Sequence, residues 1–306
     1  MVPRTNKGKN IMKSKLDYIS GRSIVPEQAI GISPSQFIKF FDKPHEWYRS
    51  EVLGEQQVFS STAMVIGTLV HYCAESAAKG LPIEKPEIWK YVFTETCPPK
   101  AEEDFIKALK TNDEEAIEQF ICSNYTSENI DPNVVFEQYK PMGNQLISFL
   151  RSHVTPNHVE ELIKAEIIPG YYIAGSCDAF LASDGSGKVI DYKTTSKLTA
   201  DSRIPYSYKL QLLSYAYIYN KLGYTVDRIS IIWITRNSVN RTSPTTGKPM
   251  KDYPSTVTET VESITQDDLD FIESLLTLCS ETLSKAKEDP SLVHLLFKDM
   301  RLKVTQ

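Results

Sequence analysis

Apolar residues recur at helical spacing in some stretches of the chain and run together or alternate in others. Ser33-Pro34-Ser35-Gln36 reads as a helix start. Ser33 suits the N-cap, Pro34 the first helical position, and Gln36 has capping-box spacing. This helix carries Phe37, Ile38, Phe40 and Phe41 and stops before Pro44; residues 45–49 then make a short helical turn. Ser61 to Lys79 predicts a second helix, rich in small and apolar residues, stopped by Gly80 and Pro82. Gly67 within it costs about 1 kcal/mol relative to Ala, and such a glycine often lets another backbone approach closely. Residues 84–150 read as a helical insert, in which Glu102-Glu103-Asp104 and Asp113-Glu114-Glu115 form solvated faces.

The period changes after Pro156. Val159–Ile168, Tyr171–Leu181 and Lys188–Thr194 predict three strands. Pro169-Gly170 and Asp184-Gly185-Ser186-Gly187 supply the turns, so the three form an antiparallel meander. Residues 205–222 form an amphipathic helix. Arg228–Thr235 is apolar and β-branched, as a strand buried on both faces should be. A polar excursion over 237–254 leads to a β-prone run, Ser255–Ile264. Thr265-Gln266-Asp267-Asp268 then caps a last helix that runs to about Lys287. The pattern as a whole predicts an α/β fold: a mixed central sheet flanked by helices.

Composition narrows the class. With 41% hydrophobic residues among 306, the chain can bury a core of ordinary size. Five scattered cysteines without a CxxC argue against a disulfide framework, a structural zinc or an iron–sulfur cluster. No apolar run is long enough to cross a bilayer, and the N-terminus lacks a secretory stretch. A cytoplasmic protein is expected. Residues 1–23 carry six Lys or Arg against Asp17 and read as a flexible basic arm. Residues 24–306 read as a single domain. The net charge of −5 speaks against a coat for nucleic acid, but leaves room for an acidic centre with a basic rim.

The chemistry concentrates in Gly175-Ser176-Cys177-Asp178 and Val189-Ile190-Asp191-Tyr192-Lys193-Thr194. Residues i and i+2 of a strand share a face, so Asp191 and Lys193 project together. The turn at 184–187 brings Asp178 back beside Asp191. Two converging carboxylates repel unless a cation lies between them, and magnesium takes such oxygen ligands. A bare Asp-x-Lys is usually an exposed ion pair of little worth. Here both acids sit among apolar or small residues, where an unpaired charge is costly. His71 and Glu75 share a face of the second helix at i, i+4. Taken alone, a histidine such as His71 is more often a satisfied core or boundary residue than a ligand. Gln211 and Tyr215 pair in the same way on a later helix. There, a half-buried amide beside a core tyrosine is an equal reading.

In this order the motifs resemble the RecB-like branch of the PD-(D/E)XK nucleases, and RecE-like phage exonucleases in particular. They are Gly67-Thr68-Leu69-Val70-His71, Gly175-x-x-Asp178, Asp191-Tyr192-Lys193-Thr194 and Gln211-x-x-x-Tyr215. The Ser33–Trp47 segment resembles that family's N-terminal helix. The resemblance implies a restriction-endonuclease-like core. It implies a magnesium-dependent DNA nuclease, with manganese as a substitute metal. The activity expected is that of an exonuclease in phage-type recombination, working in a bacterial host beside a single-strand annealing protein. His71, Asp178, Asp191 and the carbonyl of Tyr192 would bind metal. Lys193 would be the catalytic lysine, and Gln211 and Tyr215 would support the site or touch DNA. Glu166 is a further acid to consider. An endonuclease of branched or foreign DNA and a silent DNA-binding module are the other readings.

Overall fold

The computed structural model describes residues 25–27, 29–55, 61–80, 107, 114–124, 130–153, 156–196, 203–238, 243 and 245–289. The basic arm and part of the 84–150 segment lie outside these residues. The described helices are α1 (Pro34–Asp42), α2 (Pro44–Trp47), α3 (Thr62–Ala78), α4 (Glu114–Asn124), α5 (Pro132–His153), α6 (Tyr206–Lys221) and α7 (Gln266–Glu288). A π-helical turn, Tyr48–Val52, follows α2. The strands are β1 (Ile30–Ile32), β2 (His158–Ile168), β3 (Tyr171–Ser183), β4 (Ser186–Thr195), β5 (Arg228–Thr235) and β6 (Val257–Ser263).

The six strands form one mixed sheet in the order β1-β3-β4-β5-β6, with β2 also paired to β3. β2–β3 and β3–β4 are antiparallel, as the two short turns require. β4–β5 is parallel, with α6 as the crossover. β1 was not expected from the sequence. Three residues carry no period, and only parallel pairing of Ile30–Ile32 with Tyr171–Ile173 defines it.

Both faces of the sheet are covered. On one face Val189, Ile229 and Ile231 pack with Phe37, Leu213, Ile272 and Leu276 of α1, α6 and α7. On the other, Ile190, Tyr192, Ile232 and Ile234 pack with Leu69 and Val70 of α3 and Leu146 of α5. Adjacent residues of β5 thus serve opposite cores, which is why its sequence reads as an unbroken apolar run. Within the 84–150 segment, α5 belongs to this second layer: Val135, Met142 and Leu146 are fully buried in it.

Local signals explain the helix ends. Ser33 accepts from the Gln36 N–H at 3.2 Å while its own N–H donates to the Gln36 side chain at 2.7 Å. Thr265 and Asp268 close the same kind of capping box on α7. Gly67 does less than expected: an added Cβ would meet Thr194 Oγ1 at an ordinary 3.6 Å. Gly175 does more. A Cβ there would lie 2.9 Å from Pro34 Cδ and 3.2 Å from the Tyr215 hydroxyl. Its bare backbone lets α1 and α6 close over β3. No helix among the described residues is long and apolar enough to cross a membrane. Cys73, Cys122, Cys177 and Cys279 are free thiols.

Candidate active site

The site lies where two paired strands separate. β3 and β4 pair from Ser183–Ser186 up to Ala179–Ile190. Asp178 and Asp191 lie just past the last pair, where β4 leaves β3 to follow β5. Both carboxyls line the cleft that opens at this fork. Asp178 Oδ2 accepts a 2.7 Å hydrogen bond from the Tyr192 N–H, which holds the opened strands at a fixed spacing. α3 crosses the fork and brings His71. Its Nε2 donates to the Tyr192 carbonyl at 2.7 Å, and its Nδ1 lies 3.4 Å from Asp178 Oδ1.

Lys193, two residues beyond Asp191, places Nζ 2.7 Å from Asp191 Oδ2. Asp191 is 4% exposed, which excludes an ion pair on an open strand face. That oxygen is buried, and the ammonium is the partner it faces. Such a buried oxygen retains acceptor capacity for a further cation.

The electrostatics follow from burial and crowding. Burial pushes the Asp191 carboxyl up, Lys193 opposes this and Asp178 adds to it, and the outcome is about 6. Burial also pushes Asp178 up, but the charges of His71 and Lys193 and the Tyr192 N–H hold it below the usual range. Burial lowers His71, yet Asp178 and Asp191 together raise it to about 9. Burial lowers Lys193 as well, and Asp191 and Asp178 override that to keep it charged. In this arrangement two cationic side chains offset the carboxylates.

One acidic residue of the cleft was not singled out from the sequence. Glu160 on β2 shares the site. Its carboxyl, His71 and Asp178 offer ligand atoms within 4.8 Å of one another. Glu160 accepts a 2.8 Å hydrogen bond from Ser176 Oγ. Burial, and then the charge of Asp178, push its pKa up to about 7. It also has φ of 49°, a left-handed conformation costly for a residue with a Cβ. Glu166, considered above, is placed elsewhere. It pairs with Tyr172 toward the other end of β2 and accepts from the Gly170 N–H at 3.1 Å. Glu75 lines the cleft one turn beyond His71, ion-paired with Lys79 at 2.6 Å.

The cleft measures about 580 Å³ and is walled by Ser33, Pro34, His71, Glu160, Asp191 and Gln211, among others. Gln211 and Tyr215 reach it from successive turns of α6. Tyr215 donates to the Ser176 carbonyl at 2.6 Å and is 7% exposed. Its hydroxyl is therefore committed to holding the strand that carries Asp178.

The donor set suits a hard divalent cation. It offers two carboxylates, a third nearby, a backbone carbonyl and an imidazole. His71 now bridges Tyr192 O and Asp178, and it must lose a proton before its nitrogen can ligate.

The sequence profile of the PD-(D/E)XK nuclease superfamily matches residues 31–291. No curated protein matches the chain to a significant level. Among solved structures, the chain is similar to an exonuclease candidate from Eubacterium rectale. Identity is 12% and TM-score 0.48, over 94% of this chain and 87% of that one. It is also similar to LHK-Exo, solved in complex with dAMP. Here identity is 10% and TM-score 0.31, over 78% of this chain and 98% of that one.

Proposed function

Because the chain belongs to the PD-(D/E)XK nuclease superfamily, we propose that it is a magnesium-dependent deoxyribonuclease, acting as an exonuclease in phage-type recombination or DNA processing. The observation that carries this reading is the fork itself. Asp178, Asp191, Lys193 and His71 converge there, with the buried Asp191 carboxylate 2.7 Å from the Lys193 ammonium.

Asp178, Asp191, the Tyr192 carbonyl and a neutral His71 would hold the metal, and Glu160 offers a further oxygen within 4.8 Å of ligand atoms of His71 and Asp178. When bound, magnesium or manganese lowers the pKa of a coordinated water and stabilises charge on a phosphate. The protein's own groups do the rest. Lys193 presents a compact ammonium to the attacking water or the phosphate as charge develops. Gln211, on the cleft wall, can hold a phosphate oxygen. Tyr215 fixes β3, and with it Asp178, through the Ser176 carbonyl. A single-strand annealing protein is the partner that suits such an exonuclease.

The test is digestion of linear and closed circular DNA with magnesium, with manganese and with EDTA. Loss of linear DNA alone, blocked by EDTA, is expected. Nicking of circles would make the protein an endonuclease. Binding without cleavage of any linear, branched or single-stranded DNA would make it a silent binding module.

A further inference from the structure

We propose that Tyr208 is a positioning residue for Lys193, holding the ammonium at the reacting phosphate through the face of its ring. This inference rests on the nuclease reading above.

Lys193 Nζ lies over the Tyr208 ring, 5.1 Å from its centroid. That is within the range where an ammonium is attracted to an aromatic face. A lysine has a long, freely rotating stem, so its placement depends on what surrounds its end. Asp191 holds Nζ at 2.7 Å. Once the Asp191 oxygens serve a divalent cation, that hold weakens, and the cation repels the ammonium. The ring face has no such conflict. It does not compete for carboxylate oxygens, and it offers no strong acceptor. It therefore leaves the N–H groups of Lys193 free for water or phosphate.

The ring is itself held. Tyr208 packs against Trp233, with centroids 5.8 Å apart and planes at 59°. Trp233 sits beside Lys193 in the parallel β4–β5 register. Its indole N–H donates to Thr260 Oγ1 on β6 at 3.1 Å. The start of α6, which carries Tyr208, has no side-chain cap. It is pinned instead by Glu262 of β6, which accepts from the Ile204 N–H at 2.7 Å and faces Lys209 Nζ at 3.3 Å. Two adjacent strands thus fix the ring that faces the lysine. Tyr208 lies outside the Gln211–Tyr215 pair, so the sequence motifs give no sign of it.

The experiment compares wild type, Tyr208→Leu and Tyr208→Phe in steady-state cleavage of linear DNA. Thermal melting and DNA binding in calcium are measured in parallel. Tyr208→Leu is expected to lower kcat about tenfold, with KM and DNA affinity near wild type. A tenfold loss corresponds to ~1.4 kcal/mol of transition-state stabilisation. Tyr208→Phe, which keeps the ring, should recover most of that loss. A cleaving wild type matched by Tyr208→Leu overturns this inference alone. So does a loss seen in KM with kcat intact, which would make the ring a substrate contact. Failure of Tyr208→Phe to the same degree as Tyr208→Leu would assign the effect to the hydroxyl and also overturns it. A wild type without cleavage on any DNA sinks the nuclease reading, and this inference with it.

Discussion

Removing the ammonium of Lys193 should separate chemistry from binding and expose the charge balance of the site. Lys193→Ala deletes the cation 2.7 Å from a carboxylate that is 4% exposed. Losing one preorganised electrostatic group typically lowers turnover by about two to three orders of magnitude, and that loss is expected here in magnesium. DNA affinity, measured in calcium to prevent turnover, should change little, because one phosphate contact among several contributes modestly. Stability should respond to metal. Breaking a buried ion pair costs about 3–5 kcal/mol when the remaining charge has no relief. Asp191 has relief, since burial already holds its carboxyl near 6 and it can take up a proton. The loss in EDTA should therefore fall below that range, with melting lowered by about 2–4 °C for each kcal/mol lost. Saturating magnesium should restore most of it by supplying the missing positive charge to the native state. Lys193→Arg should remain nearly inactive, because a planar fork does not replace a compact ammonium in a tight site. The assays are cleavage of end-labelled linear DNA, equilibrium binding in calcium, and melting in EDTA and in magnesium. If Lys193→Ala cleaves like wild type, the chemistry lies elsewhere. If its melting deficit is the same with and without magnesium, the metal does not share the charge of Asp191.

Three further outcomes test the site. Asp191→Ala should abolish magnesium binding in calorimetry, while calcium should bind the wild type without supporting turnover, because its looser coordination positions water poorly; equal magnesium affinity in the variant would remove Asp191 from the ligand set. His71 is raised from an ordinary 6.5 to about 9 by Asp178 and Asp191, against burial. The stability it contributes is thus fully present below pH 6.5 and lost as pH rises through about 9, so the metal-free protein should melt earlier at the upper end. Magnesium affinity should run the other way and rise across that window, because the imidazole proton no longer has to be displaced; a flat affinity would exclude His71 as a ligand. Tyr215→Phe leaves the half-buried Ser176 carbonyl without its 2.6 Å donor. It should cost about 1–3 kcal/mol in chemical denaturation, and an unchanged midpoint would show that the bond contributes nothing.

Much of the site is a consequence of local rules. A tight turn at 184–187 folds β3 back on β4 and leaves Asp178 and Asp191 just past the last pair of the hairpin. The two-residue period of a strand puts Lys193 on the face of Asp191. Capping chemistry at Ser33 and Thr265 fixes where α1 and α7 begin. The apolar run of β5 announces a strand buried on both faces. These signals are short-range, so one sequence suffices to read them.

What tertiary structure alone decided is long-range. β1 exists because Tyr171–Ile173 offers a free edge, not because Ile30–Ile32 has a pattern. His71, already a candidate in the sequence, meets Asp178 and the Tyr192 carbonyl only because α3 crosses the fork, and Tyr208 faces Lys193 because α6 returns over β4. Glu160 shows the limit most clearly. Counting back from the Pro169-Gly170 turn would set Glu161 opposite Asp178. A bulge between Glu166 and Ile168 shifts the register by one residue, so that Glu161 pairs with Cys177 and Glu160 takes the place beside Asp178. A one-residue slip exchanges the faces of every side chain that follows. The carboxyl that joins Asp178 in the cleft is therefore chosen by an irregularity in strand pairing, which the full sheet fixes and the order of residues does not reveal.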